Sequence, residues 1–120
     1  MERVYFKEHK GKMILVQDMT GLVEVKACMK IFDRAQDLIL KEPLKSVRLL
    51  TNVTDAHYDR EGAEHMKKFS AKVTPHMKAS VVVGVEGLKK IVLQTLITLT
   101  GRQIVLRPTM QQAMDWLADQ

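Results

Sequence analysis

Two carboxylates, a histidine and a tyrosine fall within six consecutive residues: Thr54, Asp55, Ala56, His57, Tyr58 and Asp59. A histidine titrates near neutrality, and a neighbouring carboxylate can orient its ring. His57 with Asp55 or Asp59 is therefore the group that could move a proton. Asp and Thr serve equally as turn and cap residues, so a structural loop or a binding edge is the preferred reading of residues 54–59. The second candidate is Gly84-Val85-Glu86-Gly87. A dinucleotide fingerprint needs G-x-G-x-x-G, and a phosphate loop needs G-x-x-x-x-G-K-[ST]. Only G-x-x-G is present, and Glu86 puts a carboxylate where a phosphate would sit. Lys89 and Lys90 come too late to match the phosphate-loop lysine. Gly84 is expected to end a strand tightly, and Gly87 to start a helix.

The remaining reactive residues are sparse. His9, His57, His65 and His76 form neither H-x-x-x-H nor H-E-x-x-H, so no metal site is expected. Cys28 is the single cysteine, which excludes an intramolecular disulfide and any zinc site built on two or more cysteines. It falls within an apolar helical stripe and reads as a buried, inert thiol. No nucleophile–base pair and no cofactor motif is visible. The expectation is a protein without catalytic residues or cofactor.

The elements that position these residues alternate between strand and helix. Residues 3–8 and 12–18 read as a hairpin turning at Lys10-Gly11. Met13, Ile14, Leu15 and Val16 run nearly continuously apolar, as in a strand buried on both faces. Thr20 is the expected N-cap of a first helix over 22–40. Its stripe is Leu22, Val25, Cys28, Met29, Phe32, Ala35 and Ile39, and Pro43 blocks continuation. A strand over 46–53 follows. Asp59 then caps a second helix with the stripe Gly62, Ala63, Met66, Phe69 and Val73, and Pro75 marks its exit. His65 sits at that helix's edge.

Residues 77–85 are the most strand-like. A third helix runs from 86 or 87 to 100, with Gly101 as its stop. Leu88, Ile91, Val92, Leu96 and Leu99 form its core stripe, with Thr95 inside it. Leu93 and Ile97 fall opposite, and two outward aliphatics one turn apart predict a contact surface. A short strand over 103–107 precedes a last helix. Thr109 and Gln112 fit a capping box there, with Met110, Ala113, Trp116 and Leu117 on one face. The expectation is a single α/β domain over 1–120, a mixed, mostly parallel sheet of about five strands with four helices.

Composition bounds the partners. The chain has 120 residues, 46% apolar, with a formal net charge of +5. That charge would permit nucleic-acid or anionic-membrane binding. The basic residues are scattered, however, and Lys67, Lys68 and Lys72 share a helix with Glu61 and Glu64. Aromatic residues are 5%, and no aromatic-plus-basic ribonucleoprotein motif appears, which argues against nucleic acid. The first residues lack an apolar signal region. The longest apolar stretch, 91–99, is broken by Gln94, Thr95 and Thr98 and is far short of the roughly 20 residues a spanning helix needs. The chain reads as cytoplasmic.

The segments KGKMILVQDMTGL, SVRLLTNVTDAHYDREGAEHMKKF, KASVVVGVEGLKKI and AMDWLADQ, in this order of elements, resemble the STAS-like family. Within it they are most similar to small SpoIIAA-like proteins, related to bacterial anti-sigma-factor antagonists. The resemblance implies a SpoIIAA-like architecture and a regulatory protein partner. It also implies a switch by phosphorylation of a serine at the start of the helix after a central strand. The matching residues 54–59 hold no serine, and Thr54 is their only hydroxyl of that type. Asp59 already carries negative charge there, so no phosphorylation site is carried over.

The expected function is a non-enzymatic interaction or regulatory module, a homodimer, without the serine switch. Its contact surface is expected at Thr54, Asp55, His57, Tyr58, Asp59, Gly84, Glu86, Leu93 and Ile97. The alternative is a carrier of a small apolar, lipid-like ligand near the sheet's carboxyl edge. The resemblance suggests it through the related CRAL-TRIO domains, and eight Met residues are compatible with a deformable pocket.

Overall fold

A computed structural model describes residues 2–57, 59–86, 90, 91, 93, 94, 97, 98, 101 and 103–120. Strands β1 (Val4–His9) and β2 (Lys12–Asp18) form the expected hairpin. Its turn residues, Lys10 and Gly11, have φ of 51° and 80°. Two successive positive φ angles match the twist of a two-residue hairpin, and Gly11 takes its angle at no steric cost. Helix α1 (Val25–Ile39), strand β3 (Val47–Asn52), helix α2 (Arg60–Val73), strand β4 (Met77–Val83), strand β5 (Ile104–Arg107) and helix α3 (Met110–Ala118) follow. The strands lie in chain order, β1-β2-β3-β4-β5. β1 and β2 are antiparallel, and every other pairing is parallel.

The middle of the sheet is buried on both faces, which is why β2 and β4 lack a polar alternation. On one face Leu15, Leu49 and Val53 pack with Cys28, Phe32, Ala35 and Ile39 of α1 and Phe69 and Val73 of α2. The Phe32 and Phe69 rings lie 5.2 Å apart, centroid to centroid. On the other face Ile14, Val16, Leu50, Val81 and Val83 pack against Ala113, Met114 and Leu117 of α3. Burying one such side chain is worth roughly 1.5–3 kcal/mol, so the two layers are the main source of stability. Gln17 and Ser80 are the buried polar residues of the described strands. Gln17 is 1% exposed, and its Nε2 donates to Thr51 Oγ1 at 3.2 Å.

Two caps are as expected. Asp59 Oδ1 accepts from Gly62 N at 2.8 Å, and Thr109 Oγ1 accepts from Gln112 N at 3.1 Å. The first cap differs. α1 starts at Val25 with Glu24 as its N-cap, rather than after Thr20. Residues 19–22 are used otherwise: Gly21 N donates to Thr54 O, and Leu22 O accepts from His57 N, both at 2.9 Å. Gly21, with φ of 70°, could not enter a helix there. β4 ends at Val83 rather than Val85, because Gly84 turns left-handed with φ of 86°.

Two further expectations are corrected. Three helices are delimited among the described residues, not four. Of the third expected helix, Gly87, Leu88, Lys89, Val92, Thr95, Leu96, Leu99 and Thr100 lie outside the described residues. Lys90, Ile91, Leu93, Gln94, Ile97 and Thr98 have helical backbone. Their orientation is the second correction. Leu93 is 9% exposed and Ile97 half-buried, whereas Ile91 is 59% exposed. Lys90, Gln94 and Thr98 are polar at i, i+4 and i+8 and take the exposed side. That phase carries Ile91 outward with them and turns Leu93 away from solvent.

Candidate functional site

The loop after β3 is built by short-range hydrogen bonds. Asn52 Oδ1 accepts from Thr54 N at 3.0 Å and from Thr54 Oγ1 at 2.7 Å, turning the chain as the strand ends. Asp55 follows with φ of 57°, and Ala56 N donates to Val53 O at 3.0 Å. The two bonds to residues 21 and 22 then fix the loop from the side. Ala56 is fully buried and anchors it, while Asp55, His57 and Asp59 are exposed. Tyr58 lies outside the described residues.

Gly84 closes the site from β4. A Cβ at Gly84 would overlap Thr54 Oγ1 and lie 2.6 Å from Thr54 N and 2.7 Å from Thr54 Cα. The glycine is needed because Thr54 fills the space beside it, so the space is no phosphate cradle. Glu86, exposed, follows two residues later. The structure thus brings Thr54 against Gly84 at the carboxyl ends of β3 and β4. Leu93 is buried and does not share their surface, and Ile97 is half-buried.

Among the described residues no ion pair links His57 to Asp55 or Asp59. The histidines paired with carboxylates are His9, with Asp115 at 2.7 Å, and His65, with Asp33 at 2.9 Å. Burial pushes the Cys28 thiol up from its ordinary value, and the Asp59 charge pushes it further. A thiol so shifted stays protonated near neutrality and is a poor nucleophile. Among the described residues no group of three or more His, Cys, Asp and Glu side chains could hold a metal ion. None of their helices is long and apolar enough to cross a membrane.

Two features were not legible beforehand. Asp115 on α3 accepts from His9 Nε2 at 2.7 Å, Lys10 Nζ at 3.2 Å and Gln111 Nε2 at 3.1 Å. Only the spacing of Gln111 and Asp115 along α3 is local; His9 is 106 residues away. An open cleft of about 260 Å³ also lies among Phe6, Met13, Leu15, Glu42, Val47 and Arg48. It sits at the amino end of β3, away from the carboxyl edge where an apolar ligand was expected. Ligand pockets typically measure about 300–1,000 Å³, so this recess falls below that range.

A mixed sheet in chain order, with α1 and α2 on one face and α3 on the other, is a SpoIIAA-like fold. Over 95% of this chain and 91% of the other, the structure is similar to an uncharacterized protein of the DUF3478 family from Shewanella loihica PV-4. That protein has a SpoIIAA-like fold, and the TM-score is 0.76 at 14% sequence identity. No family model matches the chain. No curated protein matches it.

Proposed function

We propose that the protein is a non-enzymatic regulatory module that offers the loop of residues 54–59, with Glu86 beside it, to a protein partner. The observation that carries this reading is the loop's construction. Its backbone is held by hydrogen bonds on two sides, and Ala56 is buried beneath it, while Asp55, His57 and Asp59 face solvent. A preformed loop spends little ordering entropy on binding. Asp55, Asp59 and Glu86 make its rim acidic on a chain of net charge +5, which favours a partner with a basic face.

A serine-type phospho-switch does not belong to this reading. Thr54 Oγ1 is hydrogen-bonded to Asn52 and packed on Gly84, so a phosphate there would have to dismantle the turn. The test is affinity capture with Asp55→Lys combined with Glu86→Lys, against Lys72→Glu on α2 as a distant control. A specific partner is expected to be lost with the loop variant and kept with the control. Equal capture by both variants overturns the assignment.

A further inference from the structure

We propose that the end of the molecule where the parallel strands begin docks on an anionic phospholipid bilayer. The proposal goes beyond the loop reading and leaves that loop free, because residues 54–59 lie at the other end of β3, roughly 20 Å away. Lysines that are scattered along the sequence meet at this end. Lys10 and Lys12 stand at the β1–β2 turn, and Lys41 and Lys45 follow α1. Lys72 is in the last turn of α2, and Lys78 is near the start of β4. Backbone bonds tie these segments together: Lys45 N donates to Pro75 O at 3.0 Å, and Ser46 N to His76 O at 3.1 Å. The recess at the amino end of β3 brings Met13 beside Glu42 and Ser46. All of these lysines except Lys12 are exposed, and among the described residues only Lys10 has a carboxylate partner, Asp115. The acidic side chains of this end are Glu8, Glu42, Asp115 and Asp119. Asp115 is already held by His9 and Lys10, and Glu42 is half-buried.

Charge alone would fit any polyanion, and the aliphatic side chains among the lysines select the bilayer. Leu40 is 44% and Leu44 67% exposed, with Lys41 and Lys45 beside them in the chain, and Met13 is 53% exposed across the recess. The backbone that carries Leu44 is anchored on both sides. His76 Nδ1 donates to Glu42 O at 2.8 Å, and Lys45 N bonds Pro75 O. Leu44 is therefore held in water by a fixed loop rather than left there by a loose one. Aliphatic groups set among lysines gain by entering the boundary between headgroups and acyl chains, while the ammonium groups stay with the phosphates. Nucleic-acid bases are instead met by aromatic platforms, and residues 40–46 and 72–78 hold no Phe, Tyr or Trp. At the opposite end Asp18, Glu24, Asp55, Asp59 and Glu86 would be repelled by the same surface, which fixes the orientation. The loop of residues 54–59 then faces away from the bilayer.

Co-sedimentation with vesicles of phosphatidylcholine containing about 30% phosphatidylglycerol tests the proposal, with pure phosphatidylcholine vesicles alongside. The wild-type chain is expected to pellet with the anionic vesicles and not with the neutral ones, and to be released as salt is raised. Lys41→Glu combined with Lys45→Glu is expected to weaken binding by more than about tenfold. Lys26→Glu combined with Lys30→Glu, nearer the start of α1, changes the net charge equally and is expected to bind as the wild type does. Leu44→Ser leaves the charge alone and is expected to weaken binding. These side chains are all exposed, so the melting temperatures are expected to stay unchanged. Absence of the wild type from the anionic pellet overturns the proposal, and so does an equal loss in both charge pairs. Unchanged binding by Leu44→Ser also overturns it, and would make the occupant a polyanion such as nucleic acid.

Discussion

Thr54 and Gly84 lie thirty positions apart and touch, and that contact decides what the glycine is for. At a φ of 86° an alanine is already strained, and its Cβ would drive into the Thr54 backbone, which has no rotamer to give. Gly84→Ala is expected to destabilise the protein by about 1–3 kcal/mol. Urea unfolding measures this, and an unchanged midpoint would show that the close approach does not exist in solution. The need for glycine at 84 was legible in the sequence, because a β-branched run stops there. The neighbour was not, since nothing local links residue 84 to residue 54. The Asp59 cap was legible for the opposite reason. Its partner, Gly62, is three residues away, within the reach of one side chain.

At the scale of elements, local patterns carried the strands and the delimited helices to within a few residues. They failed where tertiary contacts took over. Thr20 is a good N-cap by type, but residues 19–22 bond to the loop at 54–57 instead. The segment around Leu93 failed differently. It is apolar on both sides, so counting apolar residues gave the wrong phase, and Lys90, Gln94 and Thr98 decide it. The two phases predict different mutants. Leu93→Ala is expected to cost about 2–5 kcal/mol, as for a buried leucine. Ile91→Ala, at an exposed position, is expected to stay within about 0.5 kcal/mol. Thermal unfolding of the pair separates them, and the reverse ranking would restore Leu93 to the outer face.

Across the whole molecule, the His9–Asp115 contact clips the hairpin to the last helix. Hydrogen bonds from His9 first, then Gln111 and Lys10, hold the Asp115 carboxyl down from 3.8 to about 2. The folded value lies below the unfolded one. The stabilisation is therefore complete above 3.8 and is lost as the pH falls toward 2. Asp115→Asn removes that titration. The gap in melting temperature between wild type and variant is expected to close across this range, and a constant gap would sink the assignment. The order of the strands has a further consequence, for synthesis on the ribosome. Because spatial order equals chain order, each strand leaving the ribosome meets a sheet edge already made, and none must insert between two others. The sheet can grow in the direction of translation, with local pairings first. The face holding Ile14, Val16, Leu50 and Val81 is different: its cover is Met110–Ala118. That face stays open until this helix has been made, and there a nascent chain is most exposed to chaperones and to misassembly.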